Sequence, residues 1–146
     1  MDELLGLPEW LAKLLFVAFF LLMLGAYGFY AIGKAHGQLA ARRPNPSREE
    51  FMQMMAGCCS NEASAFLWAK ALEYVRPKLN PHPDDRLGED LCIDDDDFGM
   101  DWPREWAELK EFHESNMPDW PEGWPVTIRN YGRWLDMAPT TSSPRT

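Results

Sequence analysis

LLFVAFFLLMLGAYGFYAI, residues 14–32, is a run of nineteen positions without a charge. As a helix it is about 28 Å long at 1.5 Å per residue, close to the ~30 Å hydrocarbon thickness of a bilayer. The alternative is a buried core helix, but a soluble domain of this size could hardly enclose a helix that is apolar all round. One membrane crossing is therefore expected. Trp10 precedes the run and Tyr27 and Tyr30 close it, while Lys13 and Lys34 stand at its ends, where long cationic side chains reach headgroups. The bilayer-embedded part is read as about residues 11–33, inside an anchor of residues 1–37.

A cleaved signal peptide fits poorly, because the opening Met-Asp-Glu-Leu-Leu is acidic where a positive segment is needed. Lys13 alone precedes the span, against Lys34, Arg42 and Arg43 just after it, so the C-terminal side is expected in the cytoplasm. Gly25, Gly28, Gly33 and Gly37 would allow close packing of a second helix, although the Gly33–Gly37 pair sits at the membrane edge.

Beyond the anchor, residues 38–46 read as a linker, since Pro44 and Pro46 bracket Asn45. Residues 47–137 then form the soluble domain, and residues 138–146 a disordered tail. Ser47 and Glu50 have capping-box spacing, and Phe51, Met54, Met55 and Cys58 follow on one helical face. Gly57 allows a break. A second helix starts near Ser60 or Asn61 and carries Phe66, Leu67, Ala69, Leu72 and Val75 up to Pro77.

From Lys78 to Asp101 no period is sustained, which predicts a long structured loop. Asp101 is placed to cap the next helix, with Pro103 in its first turn and Trp102, Trp106, Leu109 and Phe112 as its stripe. Residues 115–125 form a proline-rich loop in which Trp120 and Trp124 either cover the core's end or offer a partner surface. Thr127 caps a last helix with Ile128, Tyr131, Trp134 and Leu135 on one face. No β-branched run alternates, so the expected class is all-α: one transmembrane helix followed by a small helical bundle.

The stretch Arg86-Leu87-Gly88-Glu89-Asp90-Leu91-Cys92-Ile93-Asp94-Asp95-Asp96-Asp97 resembles the loop before the second helix of acyl carrier proteins, roughly Leu-x-Glu-Asp-Leu-Gly-x-Asp-Ser-Leu. Leu109-Lys110-Glu111-Phe112 looks like the end of that helix, and Val126-Thr127-Ile128-Arg129-Asn130-Tyr131 like the family's short last helix. The likeness covers roughly residues 60–136. It is nearest a divergent bacterial group of acyl-carrier-like domains of unknown function, whose loop reads Glu-Asp-Leu-x-Ile-Asp-x-Asp-Asp. A small helical bundle is implied, and with it a bacterial inner membrane. Asp95 falls where a carrier protein has the serine that accepts phosphopantetheine. A carboxylate cannot be that acceptor, because the transfer needs a hydroxyl to attack the pyrophosphate of coenzyme A. The only Ser or Thr between Asn61 and Glu114 is Ser64, in the wrong helix. No cofactor is expected; a carboxylate there either places negative charge where the phosphate of a modified serine would sit or belongs to a loop that merely keeps the fold's shape.

The chain carries a formal net charge of −9. Between Asp84 and Glu122 fifteen acidic residues face only Arg86, Arg104 and Lys110, which argues against a nucleic-acid partner. The run is either a plain solvated face or a docking surface for a basic protein. The resemblance favours docking, since partner enzymes meet the acidic second helix of carrier proteins. Asp94, Asp95, Asp96, Asp97, Glu105, Glu108, Glu111 and Glu114 are the candidate contacts.

Asp94, Asp96, Gly99 and Glu105 match positions of a calcium-binding EF-hand loop, but Phe98 stands where an oxygen ligand is wanted, so no metal is expected. Cys58, Cys59 and Cys92 form no CxxC pair and imply no oxidising compartment. His82 and His113 have no evident nucleophile partner and no phosphate loop is present, so the expectation is a non-enzyme. The leading reading is a non-catalytic, membrane-anchored docking module. Two others stay open: a carrier modified at an unusual residue, and a small acidic immunity-type protein that blocks a basic toxin.

Overall fold

The computed structural model describes Gly6 and residues 8–139, and it divides into two compact units, Met1–Ala35 and His36–Thr146. Among the described residues it is all-α, with α1 (Glu9–Arg42), α2 (Arg48–Met55), α3 (Asn61–Tyr74), α4 (Trp102–Leu109) and α5 (Ile128–Leu135). The residues read as the far end of the tail, 140–146, lie outside the described residues.

The first unit holds most of α1, a helix long and apolar enough to span a membrane. From Leu14 to Tyr30 every large apolar side chain is more than half exposed, which would be unfavourable in water and suits a lipid surround. The helix runs past Gly37 to Arg42, through most of the stretch read as a linker. The reason is local: Gln38, Leu39, Ala40, Ala41 and Arg42 are all good helix formers, and only Pro44 stops the turn.

In the second unit α2 begins as its sequence predicts, with the reciprocal Ser47–Glu50 capping box formed. Phe51 and Met55 are fully buried, whereas Met54 and Cys58 are only half-buried. The buried face of α3 is Ala63, Ser64, Leu67, Trp68 and Ala71. Ala69 and Leu72 are exposed instead, and Trp68 packs against Phe51, with ring centroids 5.1 Å apart.

The segment from Lys78 to Ile93 has no helix but is ordered by burial. Leu79, Pro81, Pro83, Asp85 and Leu87 are buried in alternation, as an extended chain presents every second residue to one side. Its backbone pairs with the residues before and within α5: Leu87 N–H donates to Val126 O at 3.0 Å, Ile128 N–H to Asp85 O at 3.1 Å and Arg129 N–H to Pro83 O at 2.8 Å. α5 follows the sequence reading closely. Thr127 caps it and Ile128, Tyr131, Trp134 and Leu135 are buried.

The loop before α5 lays its indoles on that helix. The Trp120 ring lies 5.9 Å from that of Tyr131 and 5.5 Å from that of Trp134, and Trp134 Nε1–H donates to Pro118 O at 2.9 Å. Trp120 thus packs against the core, whereas Trp124 meets the Trp120 ring edge-on at 6.3 Å and has Arg133 4.2 Å from its own ring.

Candidate functional site

Helical geometry begins at Asp95, six residues before the predicted cap. Asp94 is the residue that closes the first turn: its Oδ1 accepts from Asp96 N–H at 3.0 Å, and its carbonyl accepts from Asp97 N–H at 3.1 Å and Phe98 N–H at 3.3 Å. Asp101 is itself helical, makes no cap, and pairs with Arg104. The sequence reading went astray because Pro103 marks a first turn only when the preceding residues are not already helical.

Between Asp97 and Asp101 the helix widens to a π turn, with Trp102 N–H bonded to Asp97 O. Pro103 has no N–H to give to Phe98 O in that register. The Tyr131 hydroxyl donates to Phe98 O in its place, tying α5 to the start of the acidic helix. Burial pushes the Tyr131 hydroxyl well above the usual phenol range, so it remains a donor.

This construction holds Asp94, Asp95 and Asp96 in solvent. Asp97 is half-buried beside Tyr74, whose hydroxyl is pushed up by burial and then by hydrogen bonding with Asp97. Asp95 also edges a cleft of about 300 Å³ with Arg86, Gly88, Glu89, Phe98, Pro125 and Val126. Arg86 is held by Glu89 at 2.6 Å.

The acids of α4 and beyond do not all join this surface. Glu105 is half-buried and ion-paired with Lys70 of α3, so it serves the packing of α4 on α3. Glu108, Glu111 and Glu114 are exposed. α4 ends in a Schellman motif, with Phe112 N–H donating to Ala107 O at 3.0 Å and Glu111 N–H to Glu108 O at 3.2 Å. Glu111 supplies the left-handed residue, at φ 58°. The stripe read for this helix is also corrected: Trp102 and Trp106 are buried, Phe112 is half-buried, and Leu109, the last residue of the helix, is 62% exposed.

The EF-hand spacing does not fold as one. Residues 95–109 form a helical segment instead of a wrapped loop, and among the described residues no group of three or more carboxylate, histidine or cysteine side chains could hold a metal ion. Ser64 is 1% exposed and donates to Ser60 O at 3.0 Å, which leaves it inaccessible to a modifying enzyme. His113 does have a hydroxyl neighbour: its Nδ1 lies 2.7 Å from Ser115 Oγ and also accepts from Ser115 N–H. That geometry caps the short 3-10 turn Glu114–Asn116.

Sequence reasoning missed the contacts that fix residues 36–46. His36, 1% exposed, meets Leu91 O through Nε2 at 3.0 Å. Arg43 forks onto Asp85, Nε to Oδ1 and Nη2 to Oδ2, both at 2.7 Å, and Nη2 also reaches Asn80 O at 2.9 Å. Burial pushes the Asp85 carboxyl up, while the His82 N–H and the Arg43 guanidinium pull against it. The signal available was weak: one aspartate in phase with four apolar residues in the alternation of Leu79, Pro81, Pro83, Asp85 and Leu87.

No protein-family model, curated protein or solved structure matches the chain.

Proposed function

We propose that the chain is a membrane-anchored, non-catalytic, acyl-carrier-like docking module that has no phosphopantetheine serine and offers its acidic helix to a basic protein partner. α1 serves as the anchor, and the distribution of Lys and Arg around it supports a bacterial inner-membrane protein with the soluble unit in the cytoplasm.

The observation that carries the reading is where the exposed carboxylates stand. Asp95 and Asp96 sit at a helix start, where the dipole favours negative charge. Glu108 and Glu111 sit at the helix end, where it does not, and Glu111 also takes a left-handed backbone that a side chain disfavours. Folding energetics do not account for these two acids, whereas recognition of a basic surface does. The helix beginning at Asp95, the buried loop before it and the short last helix are consistent with the carrier-like arrangement.

The test uses the full chain in nanodiscs. Incubation with coenzyme A and a broad-specificity phosphopantetheinyl transferase should leave the intact mass unchanged, and a pantetheine adduct would overturn the reading. Proteins retained from cytosol should be lost on Glu108→Lys with Glu111→Lys. Both changes favour the helix dipole, so lost binding would not report unfolding. Retention indifferent to these variants and to salt would remove the acidic helix as the docking surface.

A further inference from the structure

The walls of the cleft beside Asp95 are fixed by hydrogen bonds. Leu87 N–H donates to Val126 O and Ile93 N–H to Leu87 O, both at 3.0 Å, which sets the loop that carries Gly88 and Glu89 against Pro125 and Val126. The Tyr131 hydroxyl, donating to Phe98 O, holds the third wall. Phe98 and Val126 are half-buried and pack on the core, and the surface they leave uncovered joins Pro125 as an apolar lining. At about 300 Å³ the recess is at the lower end of ligand-pocket size, room for one side chain and not for a helix or a strand.

The charged lining does not balance. Arg86 and Glu89 are paired at 2.6 Å and cancel. Asp95 is left over: among the described residues its carboxylate has no hydrogen-bond or ion-pair partner. It stands close to the loop, since a Cβ added at Gly88 would lie 3.9 Å from Asp95 Oδ1. An apolar guest would strip water from that carboxylate and give nothing in exchange. A long cationic side chain answers both halves of the cleft, its methylene stem against Phe98, Pro125 and Val126 and its charge against Asp95.

We propose that this cleft receives one arginine side chain of the basic protein partner. Arginine suits it better than lysine, because a guanidinium is more weakly hydrated than an ammonium and stacks on an aromatic ring, which Phe98 supplies. A cationic side chain seated in a preformed recess is the kind of anchor that dominates an interface, whereas charges on an open rim contribute little. That the arginine comes from a protein rests on the docking reading above. The preference of the cleft for a guanidinium follows from its own lining and does not depend on Glu108 or Glu111.

The experiment titrates the full chain, isotope-labelled in zwitterionic micelles, with N-acetyl-arginine amide and separately with its neutral isostere N-acetyl-citrulline amide, and follows backbone amides by NMR. Blocked arginine should shift the amides of Gly88, Asp95 and Val126 saturably and bind about fivefold more tightly than the citrulline probe, the worth of one exposed ion pair. Asp95→Asn should erase that preference while keeping the fold, since Asp94 and not Asp95 closes the first turn. Gly88→Phe should abolish the shifts with both probes by filling the cleft; its Cβ would meet Ile93 O at an ordinary 3.8 Å. Asp119→Asn, an exposed acid outside the cleft, should change nothing. Equal affinity for the two probes, a preference that survives in Asp95→Asn, or shifts at Glu108, Glu111 and Glu114 as large as those in the cleft would overturn the proposal. Proteins retained from cytosol that are lost on Glu108→Lys with Glu111→Lys but kept by Asp95→Asn would overturn the cleft alone. Arginine bound in the cleft with retention indifferent to the two helix-end changes would overturn the docking reading alone.

Discussion

Replacing Arg43 by alanine tests whether residues 36–46 belong to the fold of the second unit. Arg43 and Asp85 side chains are 12% and 2% exposed, so neither charge has more than a trace of water to fall back on. The substitution removes both guanidinium bonds to Asp85 and the bond to Asn80 O, leaving the carboxylate with only the His82 N–H at 2.8 Å. Removing one partner of a buried ion pair costs about 3–5 kcal/mol. At about 4 °C per kcal/mol for a unit of this size, the thermal midpoint should fall by roughly 12–20 °C.

Unfolding of the full chain in micelles can be followed by tryptophan emission, since six of its seven tryptophans lie in the second unit. Arg43→Met with Asp85→Leu should recover more than half of the loss, because the damage comes from an orphaned charge and an apolar pair leaves none. A loss below about 1 kcal/mol in Arg43→Ala would refute the reasoning, since that is the range of a surface pair. A double variant as unstable as the sum of its two single changes would refute it too.

Tyr131→Phe keeps the ring packing but strands Phe98 O, and should cost about 1–3 kcal/mol in urea unfolding, with faster amide exchange at residues 95–102; unchanged stability would mean that the π turn does not depend on α5. Gly132→Ala would place a methyl group 2.7 Å from Cys59 Sγ and 3.0 Å from Met55 Cε, so the midpoint should drop by the equivalent of about 1–3 kcal/mol, and a neutral result would show that α5 is not in close contact there. Asp84 is held below its ordinary value of 3.8 mainly by its hydrogen bond from Arg129. A lowered folded-state value stabilises the fold above that ordinary value and is lost as pH falls through the lowered one. The stability difference between the unaltered chain and Asp84→Asn should therefore be positive at neutral pH and shrink below about pH 4; a difference that grew on acidification would have the wrong sign.

The sequence by itself determined the elements whose cause is local. The uncharged run from Leu14 is contiguous in sequence, and the Ser47–Glu50 box, the Ser60 and Thr127 caps and the face of Ile128, Tyr131, Trp134 and Leu135 depend on residues within two helical turns of one another. It also made the acidic segment plain, though not which acids are available: Glu105 could be seen to pair with Lys70 only once α3 and α4 were packed. Tertiary structure decided the rest. Arg43 meets Asp85 across 42 positions, His36 meets Leu91 across 55 and Tyr131 meets Phe98 across 33. Such pairings follow from how an aperiodic loop threads the core, and a buried polar group accepts whichever partner the packing brings to it. For the same reason the capping position moved from Asp101 to Asp94: Pro103 permits a first turn, but the hydroxyl of Tyr131 allows the helix to run through it.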